Sequence, residues 1–347
     1  MPDALYDLST PSRTDFFGRG VLAGAIALAA AWLAFNMADN AHFVPDFEFW
    51  WLATRRWLTG TNPYAMRPET PEWHLHDRLF YPLPALLVTA PIAWLSVQWA
   101  AAVFVGLPTA MLAWRLSRIA LWPLLLFASP SFLAAASTGQ WSPWLVVAML
   151  YPAVGFVFAC KPTLGLACFA YRPTRRAAAG GVIILLVSLA LMPHWPRQWL
   201  DNLQEVVAHP APIRTPFGWL IALAVLRWRR REARLFIVMA CVPQLLLFAD
   251  QLPLALVVRT RRGAWCLVLS SWVAFLIWWM RFFPLNGAVN MSAPYVMVGC
   301  YLPALWIVLR QPNEGPVPAW LERQIARWPF WLRGQSSAER ALTNQEV

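Results

Sequence analysis

Charge is scarce in this chain. Asp, Glu, Lys and Arg make up 13% of its 347 residues, against roughly a quarter in soluble globular proteins. With 59% hydrophobic residues and a mean hydropathy of +0.48, that scarcity excludes an ordinary soluble domain and points to an all-α polytopic membrane protein. Lysine is rarer still, with Lys161 its sole example. The cysteines (Cys160, Cys168, Cys241, Cys266 and Cys300) fall inside apolar runs and form no Cys-x-x-Cys, so neither a disulfide framework nor a metal cluster is expected. A Gly-rich phosphate loop, a GxSxG elbow, an HExxH helix and a DxD are also missing, so nucleotide-binding and hydrolase readings lack support. His74-x-His76 with Asp77 does not match zinc spacing on a helix, and no metal or cofactor is expected.

What the chain does carry is tryptophan, 23 residues of it, and a net charge of +11. Trp suits the headgroup level of a bilayer and also stacks on sugars, and composition does not separate the two uses. The arginines cluster between apolar spans, where cytoplasmic loops and anionic headgroups favour them. Membrane lipids, not nucleic acid, are therefore the expected partners of this charge. Asp3, Asp7 and Asp15 dilute the N-terminal positive region, and the apolar run that follows is longer than a signal peptide's core, so an uncleaved first anchor is expected.

Reading apolar spans against a core of roughly 30 Å places crossings at 17–38, 82–95, 99–116, 119–136, 143–151, 153–171, 177–192, 216–226, 264–280 and 292–309. The 153–171 segment is broken at Lys161-Pro162, and 235–258 is read as two short helices hinged near Asp250. This gives one domain over 1–310 with about 10–12 transmembrane or re-entrant helices, and an amphipathic cytoplasmic tail over 311–347. Two polar segments, 39–80 and 194–215, fall on the outer side. Alternate counting puts Arg172–Arg176, Arg227–Arg234, Arg259–Arg262 and Arg310 inside, with Arg115 and Arg118 as exceptions outside.

The segment from Pro45 to Pro84 concentrates acids, histidines and turn-formers that a plain anchor does not need. Asp46 opens a stretch in which Phe47, Trp50, Trp51, Thr54 and Leu58 share a face at helical spacing. Such a helix would lie along the membrane surface with its first-turn carboxylate at the boundary; a helix-capping role for Asp46 fits the spacing equally. Glu48 reads as a solvated or hydrogen-bonding neighbour. Gly60-Thr61-Asn62-Pro63-Tyr64 reads as a helix stop and turn. Lys161 within an apolar run is a functional candidate whose natural partner is a lipid phosphate, the alternative being snorkelling to the interface. Gln140 follows Gly139 at a helix break and can bond a substrate or a neighbouring helix. His194, His209, Asp201, Glu205 and Arg214 share the second polar segment and can complete a site.

These pieces stand in a particular order: Asp46-Phe47, then Leu58-x-Gly60-x-Asn62-Pro63-Tyr64, Tyr81-Pro82-Leu83-Pro84, Gly139-Gln140 and Lys161-Pro162-Thr163. The order resembles the polyprenyl-phosphate-dependent glycosyltransferases of family 87, relatives of bacterial mannosyl- and arabinofuranosyltransferases. The resemblance covers roughly residues 17–176. The chain differs from the family in having Trp50 where a Tyr is common and Pro82-Leu83 where Pro-Pro is common. The resemblance implies a C-type glycosyltransferase fold in a bacterial inner membrane, an outward-facing active site, and a sugar donor carried on polyprenyl phosphate. The acceptor would be a glycolipid or envelope polysaccharide. Asp46 would be the general base, with Glu48, Asn62, Tyr64, Tyr81, Gln140, Lys161, His209 and Arg214 binding substrate. The rival readings are a transporter or lipid flippase, which broken helices and an intramembrane lysine suit, and a non-catalytic envelope-assembly protein.

Overall fold

The computed structural model describes residues 13–38, 46–68, 70, 73, 75, 77–204, 209–282 and 291–315. His74, His76, Glu205 and the tail beyond 315 lie outside the described residues, as do 39–45 of the first polar segment. Among the described residues every element is helical, apart from one isolated bridge between Thr70 and Trp73. Three helices are long and apolar enough to cross a membrane: α1 (Arg13–Met37), α4 (Val97–Ser117) and α11 (Arg261–Phe282). A fourth span is possible if α8 (Arg175–Leu191) and α9 (Trp195–Gln204), bent by 96° at their junction, count as one.

The pairing of α1 with α4 sets the frame. They run antiparallel, since Phe16 meets Trp114 at 4.7 Å and Phe35 meets Trp99 at 5.0 Å. Buried Ala23, Ala27, Ala30 and Ala34 repeat at helical spacing along α1, and a Cβ on Gly106 would come within 3.0 Å of Ala31. Small residues let two apolar helices approach closely where there is no water to drive them together. Phe17, Leu28 and Trp32, on other faces of α1, remain exposed, as suits contact with lipid.

Two of the expected crossings are too short to span as continuous helices, one being a single short helix and the other a hairpin. Segment 82–95 contains only α3 (Leu83–Thr89) and a 3-10 turn (Ala90–Ile92). Ten helical residues rise about 15 Å, half a bilayer core. Tyr81 before it packs on Trp50 at 4.4 Å, and the Leu95 carbonyl after it accepts from Trp51 Nε1 at 3.3 Å. Both ends therefore sit beside the same helix, α2 (Asp46–Leu58). Segment 153–171 is a 3-10 helix (Pro152–Ala159) and α7 (Pro162–Tyr171), with Lys161 at the tip and both bases at one cavity, which Pro152 and Arg172 line. Pro162 lacks the N–H that would continue the first arm, which is the break read in the sequence.

This corrects the placement of Arg115 and Arg118. Counting 82–95 as a crossing inverted α4 and put them on the side opposite the other arginines. Instead the Tyr151 hydroxyl donates to the Met111 carbonyl of α4 at 3.4 Å, and Tyr151 lines a cavity with Arg172, Arg175 and Arg176. Arg231, opening α10 (Arg231–Cys241), lies over the Tyr171 ring at 5.7 Å. Arg227 donates to the Leu309 carbonyl, and Arg259 pairs with Glu232. These arginines thus gather at one end, and Asp46 begins α2 at the other.

Candidate functional site

The acidic end is built on how α2 docks. Phe47, Trp50, Ala53 and Thr54 are fully buried on one face of it, whereas Leu58 is 38% exposed. Phe47 and Trp50 meet Phe104 of α4 at 5.2 and 6.0 Å, and Trp50 meets Trp141 at 5.9 Å. Thr54 Oγ1 lies 2.9 Å from Thr89 Oγ1, tying α2 to α3. Most of the face expected to lie on a membrane surface is therefore buried against protein.

Gly139 brings the next residue into place. It ends α5 (Pro130–Thr138) in the left-handed conformation at φ +65°, and a Cβ there would stand 2.6 Å from Phe47 Cβ. Only glycine meets both demands without strain. The turn sets Gln140, 4% exposed, directly beside Asp46, and Gln140 Nε2 donates to Asp46 Oδ2.

Lys161, at its hairpin tip, donates from Nζ to Gln140 Oε1 at 3.1 Å and to Asp250 Oδ1 at 2.6 Å. Asp250 starts the 3-10 helix Phe248–Val257, held from α6 (Ser142–Leu150) by Ser142 Oγ donating to the Ala249 carbonyl at 2.6 Å. An ammonium only donates, so Gln140 must turn its oxygen to Lys161 and its amino group to Asp46. The result is a continuous chain, Asp46–Gln140–Lys161–Asp250, drawn from four separate elements.

All four line one cavity of about 400 Å³, with Tyr81, Trp199, His209, Asp77 and Arg78 around them. Trp199 Nε1 donates to the Phe80 carbonyl at 2.8 Å, and Asn202 Nδ2 to the Leu79 carbonyl at 3.2 Å, so α9 clamps the segment that carries Tyr81. Desolvation, then Asp46 and Asp250, push the Tyr81 phenol well above its usual range. Burial lowers the proton affinity of His209, and nearby Asp250 partly restores it.

Of the residues expected to bind substrate, Tyr81, Gln140, Lys161 and His209 join Asp46 on the cavity wall, and Glu48, Asn62, Tyr64 and Arg214 do not. Asn62 Oδ1 accepts from the Tyr64 N–H at 3.0 Å, and its Nδ2 donates to Gln198 Oε1 at 3.3 Å. Tyr64 is 4% exposed and donates to the Tyr81 carbonyl at 3.1 Å. These two shape the loop that presents Tyr81. Arg214 is exposed at the end of a 3-10 turn (Pro212–Arg214), and Arg78 is the arginine that reaches the cavity. Asp250, which the hydropathy pattern marks only as a hinge, also lines the cavity. An acid inside an apolar run is a functional signal in its own right. Among the described residues no group of three or more His, Cys, Asp and Glu could hold a metal.

Fold and site together define an all-helical chain, with three helices able to span a membrane and a polar chain of residues on a cavity at one end. Comparison with models of known protein families, with curated proteins and with solved structures gives no match.

Proposed function

We propose that the protein is an integral membrane glycosyltransferase of the C-type fold. It takes a sugar from a polyprenyl-phosphate donor and passes it to a glycolipid or envelope polysaccharide, at the outer face of a bacterial inner membrane. The observation that carries this reading is a carboxylate held by a buried amide on a cavity that a lysine and an arginine also line. In the reaction the acceptor hydroxyl oxygen bonds to the anomeric carbon while Asp46 takes its proton. The bond from that carbon to the phosphate oxygen breaks, and the lipid phosphate departs with the electron pair. Lys161, with two of its three N–H groups fixed on Gln140 and Asp250, and Arg78 offer donors to that developing charge. One displacement inverts the anomeric centre. Tyr81 and Trp199 give the sugar aromatic faces to pack on. A phosphate leaving group with cationic neighbours needs no metal in principle, and the scheme uses no cofactor.

The test is transfer by purified protein from a panel of radiolabelled polyprenyl-phosphate sugars to membrane glycolipids. Asp46→Asn should lose about 10²–10⁴-fold in rate while donor binding persists. Transfer from nucleotide sugars alone would overturn the donor assignment. A transporter is the second reading, favoured by the Lys161–Asp250 ion pair. It predicts transport that survives Asp46→Asn.

A further inference from the structure

The basic end carries a feature that sugar transfer does not use. An open cavity of about 470 Å³ lies between the base of the Lys161 hairpin and the start of α8, lined by Tyr151, Arg172, Thr174, Arg175 and Arg176. Among the described residues no carboxylate lines it. Arg115 in the last turn of α4 and Arg118 just beyond it stand close enough to act electrostatically on the Tyr151 hydroxyl, adding positive charge beside the cavity. Membrane topology asks only that arginines sit on this side of the chain. It does not ask that arginines from a loop and from a helix start share one concave wall with a phenol.

What adjoins the cavity narrows the occupant. Beyond Arg175 and Arg176, α8 turns apolar and outward, with Val182 at 54%, Ile183 at 60%, Leu186 at 60% and Leu191 at 55% exposure. A ligand matching this surface has an anionic head at the arginines and hydrocarbon running along the helix. Guanidinium groups hold phosphate oxygens in pairs with fixed geometry, which a diffuse positive field does not.

We propose that this cavity binds a phosphoryl group, presented by an anionic phospholipid, with Arg172, Arg175 and Arg176 as its ligands. The assignment stands independently of the glycosyltransferase reading.

The experiment places the full chain in phosphatidylcholine nanodiscs in two arms, one doped with phosphatidylglycerol and one supplied with inorganic phosphate. Lipid retained after extraction is counted by native mass spectrometry, and unfolding temperature is followed in parallel. The wild type should retain phosphatidylglycerol. Affinity should fall roughly fivefold per arginine removed and roughly a hundredfold in the Arg172→Gln, Arg175→Gln, Arg176→Gln triple variant. An Arg261→Gln, Arg262→Gln variant, altering exposed arginines at the start of α11, should retain lipid as the wild type does. Should the triple variant fail to fold, the single changes at exposed Arg175 and Arg176 carry the same comparison. If phosphate raises the unfolding temperature and phosphatidylglycerol adds nothing, the phosphoryl chemistry stands and the lipid source is overturned. Equal loss of lipid in both variant sets, or no response in either arm, overturns the site.

Discussion

Lys161 Nζ and Asp250 Oδ1 meet at 2.6 Å although 89 positions separate them in the chain, and their side chains are 17% and 9% exposed. Each charge is tolerable there because of the other. Removing one partner of a buried pair strands the survivor, at about 3–5 kcal/mol, whereas replacing both is often close to neutral. Asp250→Asn and Lys161→Met should therefore each destabilise the protein by about 3 kcal/mol, and the double variant should cost less than their sum. Thermal unfolding in nanodiscs measures all three. Additive effects would show that the pair is incidental.

The orientation of Gln140 depends on that pair, and this gives a second prediction. Gln140→Leu leaves Lys161 and Asp46 each short of a buried partner and should cost about 1–3 kcal/mol per group. Gln140→Glu keeps an acceptor for Lys161 but turns a second carboxylate toward Asp46. Like charges at such range favour the protonated form. If the transferase reading holds, Gln140→Glu should lose at least about tenfold in turnover at neutral pH, a 1.4 kcal/mol effect on the barrier, and recover as pH rises. A pH–rate profile of both variants decides it, since Gln140→Leu should show no such recovery.

How much of this the sequence displayed depends on the kind of residue. Asp46, Gln140 and Lys161 stood out because each is polar where its neighbours are apolar, and that contrast survives folding. Asp250 was equally anomalous but sits at a hinge, where an acid has an ordinary local explanation. Asn62 and Tyr64 belong to the right motif, yet a motif does not say whether a residue meets substrate or holds the residue that does. The form of segments 82–95 and 153–171 is hidden in the sequence for a different reason. Hydropathy reports that a segment avoids water, and a short helix or a half-depth hairpin avoids it as well as a full crossing does. How such a short segment docks is fixed by contacts such as Trp51 to Leu95, which lie 44 positions apart.

Gly139 and Gly60 form a natural control pair. Both have positive φ, +65° and +87°, but an added Cβ meets Phe47 at 2.6 Å in the first case and nothing within 4 Å in the second. Gly60→Ala should carry only the left-handed penalty, about 1–2 kcal/mol. Gly139→Ala should carry that plus about 1–3 kcal/mol of overpacking, and should also displace Gln140 from Asp46. Unfolding midpoints of the two variants should differ accordingly. Equal midpoints would mean that Phe47 yields without cost, and that the turn does not fix the spacing between Gln140 and Asp46.

His209 supplies a pH dependence that can be checked without any substrate. Burial holds its folded-state proton affinity below the ordinary value of 6.5, and Asp250 offsets part of that effect. Between the folded and unfolded pKa values the unfolded chain binds more protons, so stability rises with pH in that window. The contribution is neutral above about pH 6.5, and stability is lost as the pH falls below it. His209→Gln removes the titrating group and should flatten the wild-type stability profile between about pH 5 and 7. Asp250→Asn removes the offset, so beyond its general destabilisation it should steepen the same limb. Unfolding temperatures across that range, for wild type and both variants, separate this from carboxylate titration, which His209→Gln leaves in place. An unchanged slope in His209→Gln would mean that the imidazole is as well solvated in the folded protein as in the unfolded chain.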